Sequence, residues 1–292
     1  MDTNEKDINE KTRVMQTLKK HDFRFKRKWG QNFIFDLNLL QRIVNSAEIR
    51  PGDSVIEIGA GAGTLTRALA EAGAQVIALE IDQALLPILA EQLQGLTAQV
   101  VHADVLKTDL DALAHEHNLK KPYKVVANLP YYITTPIIME ILEKNYSFER
   151  LVIMVQWEVA QRLTARPGVK DFGAITLAIA YYTEAEILFK VSRQVFNPAP
   201  EVDSAVISLK KRAKAPVDVY NSILMFKLIK AAFGQRRKTL LNALSAVGLG
   251  LDKEAIAQRL KQAGIDGQRR GETLSLEEYA KLSNLWEAPR PL

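Results

Sequence analysis

The run Val125-Val126-Ala127 ends in Asn128-Leu129-Pro130-Tyr131-Tyr132, and those residue types suit one kind of chemistry. The exocyclic amine of adenine is a weak nucleophile, because its lone pair is delocalised into the ring. Acceptors on its N–H groups localise that pair. The Asn128 side-chain oxygen and a backbone carbonyl beside it, for which Leu129 is the candidate, can supply them. Pro130 fixes the backbone and has no amide donor of its own. Tyr131 can stack on a base taken out of its helix or loop. The electrophile for such an amine is a methyl sulfonium. Methyl transfer needs no metal, and most of the rate comes from holding donor and acceptor in line. The bland alternative is an ordinary turn with a packed tyrosine.

A donor site is legible upstream. Glu57-Ile58-Gly59-Ala60-Gly61-Ala62-Gly63-Thr64 places glycines directly after an apolar run, where backbone amides can approach a ligand closely. A dinucleotide fingerprint would want its third glycine at 64, where Thr64 stands. The spacing therefore suits an adenosyl ligand without a pyrophosphate. Glu80 follows about twenty residues on, where an acid can accept both ribose hydroxyls. Asp104 ends the next strand and can accept from an adenine amine. Asp82 reads as structural, and Glu57 as an anchor for the loop.

These residues need a scaffold that brings strand ends together. Residues 54–155 alternate strand and helix signals, which predicts a parallel sheet covered on both faces. The strands are expected at 54–59, 75–81, 99–106, 123–129 and 150–156. Strands at 185–191 and 204–210 would close the sheet as an antiparallel pair, joined by the loop Phe196-Asn197-Pro198-Ala199-Pro200. Residues 217–233, 235–246, 253–263 and 276–285 read helical. The expected organisation is an α/β cofactor-binding domain over 1–213, whose first 20 residues are a polar arm, and a small all-α domain over 214–292.

Composition narrows the classes. The 292 residues include no cysteine and four histidines, with 47% apolar and 25% charged residues. That is globular composition, and it excludes disulfides, thiolate zinc sites and zinc base deaminases. No metal site is expected. No apolar run is long enough to cross a bilayer, and Met1 to Asp7 has no signal-peptide core, so a cytoplasmic address is expected. The net charge of +5 is small but clustered. Lys19, Lys20, Arg24, Lys26, Arg27 and Lys28 interleave with Phe23, Phe25 and Trp29. Further runs lie at Lys210–Arg212, Arg236-Arg237-Lys238 and Arg269-Arg270. Basic clusters with aromatics suit a nucleic acid with exposed bases. Arg236, Arg237 and Lys238, read as helical, and Lys26 and Arg27 are the candidate RNA contacts.

Asn-Leu-Pro-Tyr after Glu-x-Gly-x-Gly-x-Gly resembles the S-adenosylmethionine-dependent ribosomal RNA adenine N6-dimethyltransferases. Gly30-Gln31-Asn32-Phe33-Ile34, Phe196 to Val206, Phe233 to Leu240 and Ile265 to Glu278 resemble further segments of that family, so the likeness covers about residues 20–285. The resemblance implies a Rossmann-like class I methyltransferase sheet with a C-terminal helical domain. It implies S-adenosyl-L-methionine as cofactor and two adjacent adenines of a 16S rRNA hairpin loop, in the immature 30S subunit, as target. A monomer is expected. By the same resemblance Asn32 and Ile34 contact the methionine end beside Gly59, Gly61 belongs to the cofactor site, and Glu80 holds the ribose and Asp104 the adenine amine. Asn128 bridges cofactor and target, and Tyr131 and Phe196 sandwich the target base. Ile34, Ala60 and Trp29 depart from the usual residues of the family.

His102 lies one strand step from Asp104 and reads as a core histidine. Trp157-Glu158 reads as a cap or a pocket wall. The alternatives are a resistance-type large-subunit rRNA adenine methyltransferase, an assembly checkpoint factor with methylation secondary, and a DNA amino-methyltransferase. The C-terminal segments favour the small-subunit branch over the first, and the absence of a target-recognition insert weakens the last.

Overall fold

The computed structural model describes residues 3–26 and 30–286; Arg27, Lys28 and Trp29 lie outside the described residues. In chain order the elements are α1 (Thr3–Lys20), β1 (Phe33–Ile34), α2 (Leu37–Ser46), β2 (Ser54–Ile58), α3 (Thr64–Glu71), β3 (Gln75–Glu80), α4 (Leu86–Gln92), β4 (Ala98–His102), α5 (Leu110–Glu116), β5 (Tyr123–Asn128), α6 (Thr134–Glu143) and β6 (Phe148–Gln156). There follow α7 (Trp157–Leu163), α8 (Ala174–Tyr182), β7 (Thr183–Val191), β8 (Phe196–Asn197), β9 (Ser204–Lys211), α9 (Ser222–Gly234), α10 (Leu240–Ser245), α11 (Lys253–Ala263) and α12 (Leu276–Trp286). The chain forms two compact units, one of residues 1–160 with 184–211, the other of 161–183 with 212–292.

The first unit carries a seven-stranded sheet in the order β4-β3-β2-β5-β6-β9-β7. The strands from β2 to β6 pair in parallel, and β9 lies antiparallel on β6. β2 is buried along its whole length and β5 along all but its last residue, as expected for parallel strands covered on both faces. The chain runs outward from β2 to β3 and β4, then jumps back to β5. The ends of β2 and β5 therefore flank a topological switch point, where open α/β sheets bind ligands. The expected closing pair is present, but β9 inserts between β6 and β7.

Residues 1–20, expected as a polar arm, contain α1. Its charges hide a stripe at Val14, Thr17 and Leu18, all under 7% exposed. Val14 and Leu18 share a core cluster with Leu85, Ile88 and Leu89, and Gln92 donates to the Thr17 hydroxyl at 2.8 Å. The i, i+3, i+4 spacing is what a one-sided helix needs.

The second unit is helical, around Met225, Leu228, Leu240, Leu260, Tyr279 and Leu282. It also takes residues 161–183, which the sequence reading assigned to the first domain. Phe172 and Leu177 belong to this core, and Tyr181 and Tyr182 pack on the ring of Phe226. An apolar helix of this kind must bury its side chains somewhere, and the α9 face receives them. The helix expected over 235–246 begins only at Leu240, because residues 235–238 turn and the Leu240 and Leu241 amides bond the Arg269 and Gly267 carbonyls. Arg236, Arg237 and Lys238 thus sit in a turn, not on a helix. Among the described residues no helix is long and apolar enough to cross a membrane.

Candidate active site

A cavity of about 480 Å³ opens at the switch point, lined by Gly30 to Phe33, Gly59, Gly61, Glu80, Asp104, Leu129, Tyr131 and Tyr132, with Asn128 in its wall. Its size falls in the range of small-molecule sites. The floor is the glycine turn. Gly59 (φ +81°) and Gly61 (φ +56°) adopt the left-handed conformation, and a Cβ on Gly61 would come within 3.2 Å of the Phe33 ring. Only glycine meets both demands without strain.

Glu80 ends β3, only 6% exposed. Its Oε2 accepts the Gly61 amide and its Oε1 the Asp82 amide, each at 2.8 Å. Each oxygen keeps lone pairs for a ligand. Burial pushes its carboxyl above the usual value, against the pull of those amides. β4 stops at His102, short of the expected 99–106, so Asp104 lies two residues beyond it, where it accepts the Leu106 amide on Oδ1 at 3.1 Å, and Lys107 Nζ stands 3.9 Å from Oδ2. Two carboxylates above a glycine turn, one at the end of β3 and one two residues beyond β4, are the acceptor set that an adenosyl group with two ribose hydroxyls and an amine requires.

Asn128 closes β5. Its Nδ2 donates to the Asn32 carbonyl at 3.1 Å. A carbonyl only accepts, so this contact sets which end of the amide is nitrogen and leaves Oδ1 as the acceptor available to the cavity. The Pro130 carbonyl is consumed by the Ile133 amide and the Thr134 hydroxyl, both at 3.2 Å. Tyr131 is half-buried, with its hydroxyl 2.8 Å from Ser204 Oγ; burial raises its phenol pKa.

Two residues expected here lie elsewhere. Ile34 (2% exposed) and Phe196 (5%) are register partners across β1 and β8 and share a core cluster. Neither lines the cavity. Phe33 lines it, because alternate residues of a strand face opposite ways. Phe196 instead borders a separate groove of about 190 Å³ with Lys11, Asp36 and Gln194, so the structure does not bring Tyr131 and Phe196 to one cavity.

The basic candidates divide. Lys26 pairs with the buried Asp82 at 2.6 Å. Arg236 bonds Glu272 and the carbonyls of Lys170 and Phe172 inside the helical unit. Arg237 and Lys238 are exposed, and Arg27 lies outside the described residues. His102 is exposed on the edge strand β4, with Nε2 3.2 Å from the Ile81 carbonyl, rather than packed in the core. Trp157 carries Lys190 over its ring at 5.4 Å and does not line the cavity. Glu57 is 1% exposed, with Oε2 lacking a hydrogen-bond partner, so the loop anchor expected of it is not formed by that atom. Gln31 and Tyr132 also line the cavity, with Asp82 bonded to Gln31 and Ser204 to Tyr131, although none of the four was expected as a site residue. Gln31, Tyr132 and Ser204 stand inside the motifs quoted above, which is the only signal they give in the sequence.

The family model for ribosomal RNA adenine dimethylase matches residues 22–287. The chain belongs to this family. Relatives called Ribosomal RNA small subunit methyltransferase A are 51% identical over 267 residues in Alkaliphilus metalliredigens (91% of this chain, 93% of the relative) and 47% identical over 295 residues in Enterococcus faecalis (99% and 100%). Among solved structures, a dimethyladenosine transferase from Plasmodium falciparum superposes with a TM-score of 0.69 at 25% identity, covering 84% of this chain and 94% of that one. The 23S rRNA methyltransferase ErmE gives 0.64 at 28% identity, covering 88% and 100%. This ribosomal RNA adenine dimethylase is therefore an S-adenosylmethionine-dependent methyltransferase with the class I fold and a C-terminal helical region.

Proposed function

We propose that the enzyme dimethylates N6 of two adjacent adenines in a 16S rRNA hairpin loop of the immature small subunit, as a cytoplasmic monomer. The observation that carries this reading is the placement of Asn128, Glu80 and Asp104 on the rim of one cavity. Relatives near 50% identity over more than nine-tenths of the chain carry the small-subunit name, which favours that target over the large-subunit one.

The residues present fit S-adenosyl-L-methionine. Glu80 would hold the ribose hydroxyls, Asp104 the adenine amine, and the Gly59–Gly61 turn with Asn32 the methionine end. When bound, the cofactor supplies a methyl group on an electrophilic sulfonium. The protein does the rest by position. Asn128 Oδ1 accepts one N6 hydrogen and the Leu129 carbonyl the other, which localises the amine lone pair toward the cofactor side. Tyr131 stacks on the base. The N6 proton released after transfer passes to water. A monomethylated N6 still has one hydrogen for one of those two acceptors, so the site can serve a second round. Arg237 and Lys238, exposed and contiguous, supply phosphate contacts that add affinity without base readout.

The test is transfer of tritiated methyl groups to under-methylated small subunits and, in parallel, to large subunits, with mapping of the label. Label confined to adjacent small-subunit adenines supports the reading. Label in large-subunit RNA overturns the target assignment.

A further inference from the structure

Gln31 uses both ends of its amide. Its Oε1 accepts the Lys26 amide at 2.8 Å and its Nε2 donates to Asp82 Oδ2 at 2.8 Å. Asp82 is 3% exposed, and its other oxygen takes the Lys26 ammonium at 2.6 Å and the Ala84 amide at 3.1 Å. A carboxylate with this many donors stays ionised, and its pKa is lowered by those side-chain bonds against the effect of burial. The Asp82 backbone amide in turn holds Glu80. The residue next to Gln31 is Asn32, whose carbonyl accepts from Asn128 Nδ2. One hydrogen-bonded chain thus runs from the ribose acid, through Asp82 and Gln31, to the residue that orients the Asn128 amide. On its other side Gly30 packs on Pro130, where an added Cβ would meet the proline Cβ at 3.3 Å.

Resting on the methyl-transfer reading above, we propose that Gln31, clamped on Asp82, is a positioning residue for Asn128. It fixes the Asn32 carbonyl, and that carbonyl keeps the Asn128 oxygen aimed at the target amine. The consequence is a specific split. Loosening the clamp lets the Asn128 amide rotate or drift, which costs the chemical step. Glu80 keeps its Gly61 and Asp82 amides, and the Asn32 side chain keeps its own bond to the Gly30 carbonyl at 3.3 Å, so cofactor affinity holds. Ground-state binding of RNA holds as well, because Tyr131 is anchored on Ser204 instead.

The test uses the full-length enzyme with under-methylated small subunits and S-adenosylmethionine. Gln31→Met keeps the volume and removes both hydrogen bonds. Gln31→Glu sets a carboxylate against Asp82. Combining Gln31→Glu with Asp82→Asn moves the negative charge across the same contact and restores a donor–acceptor match. The expected result is a fall in kcat of tenfold or more in both single variants, with KM for RNA within threefold of wild type. The double variant should recover to within threefold. Calorimetric affinity for S-adenosylmethionine, which needs no turnover, should stay close to wild type in Gln31→Met, and the melting temperature should fall by only a few degrees, about what a buried oxygen short of one donor costs. Unchanged kcat in Gln31→Met, a loss that appears only as weaker cofactor binding, or a double variant no better than Gln31→Glu would each overturn the proposal. Failure of the functional reading shows differently: the wild-type enzyme itself would leave adenine N6 unmodified.

Discussion

The Tyr131 hydroxyl lies 2.8 Å from Ser204 Oγ, which joins the turn after β5 to the first residue of β9. Ser204 is fully buried, so its hydroxyl has no water to exchange for the tyrosine. The contact fixes the tilt of a ring that lines the cavity. Tyr131→Ala should lower kcat/KM by about 1–3 kcal/mol, the usual worth of one base stack. Tyr131→Phe and Ser204→Ala keep the ring and should cost less, about 1 kcal/mol each for a lost neutral hydrogen bond. Steady-state kinetics on under-methylated subunits would show the order; equal losses in Tyr131→Ala and Tyr131→Phe would mean that the hydroxyl, not the face, matters.

Glu80 should set cofactor affinity. Its oxygens meet two backbone amides and would meet two ribose hydroxyls, all charge-assisted bonds. Glu80→Ala should weaken S-adenosylmethionine binding by about 2–4 kcal/mol, since each charged hydrogen bond is worth about 1.5–3 kcal/mol. Titration calorimetry reads this directly, and an unchanged Kd would remove Glu80 from the site.

How much of this was legible in the sequence depends on whether a residue's role is local. The glycine turn, Glu80 and Asn128 sit at strand ends and Asp104 two residues beyond one, and strand ends follow from periodicity and punctuation. The structure gathers them around one cavity. Ile34 and Phe196 did not, because which face of a two-residue strand meets the cavity is set by pairing β1 on β8, which no spacing within either segment reveals. Gln31 and Asp82 escaped for the same reason, being 51 residues apart. The α1 stripe was drowned by its charged neighbours. The turn at 235–238 depends on backbone bonds to residues 267 and 269, so a helical reading of the local sequence could not foresee it.

The arginines of that turn should part company. Arg236 is committed to Glu272 and two carbonyls, whereas Arg237 and Lys238 are exposed. Arg236→Gln should lower the melting temperature and leave the salt dependence of subunit binding unchanged. Replacing Arg237 and Lys238 by Gln should leave the melting temperature unchanged and flatten the slope of log K against log salt by about 0.7–0.9 per lost phosphate contact. A reversed pattern would exchange their roles.

Glu57 gives the fold a pH dependence. Burial, and then the nearby Glu80 charge, push its carboxyl from an ordinary 4.5 to about 8. The folded protein therefore keeps a proton that the unfolded chain releases. The stabilisation is complete below about pH 4.5 and is lost as pH rises through about 8. Glu57→Gln mimics the protonated form and should flatten the decline in melting temperature between those limits. A parallel decline in both proteins would place the titrating group elsewhere.

The central claim is that Asn128 acts on the amine during transfer, not in binding. Its oxygen is needed as N6 becomes tetrahedral, so its loss falls on kcat. The most direct measurement is nucleoside analysis by mass spectrometry of small-subunit RNA after reaction with wild type and with Asn128→Ala, both at saturating S-adenosylmethionine and with subunit binding measured alongside. The account predicts two N6,N6-dimethyladenosines per subunit with the wild type, none with the variant, and subunit affinity within threefold. Full dimethylation by the variant, slowed only at low RNA concentration, would contradict it.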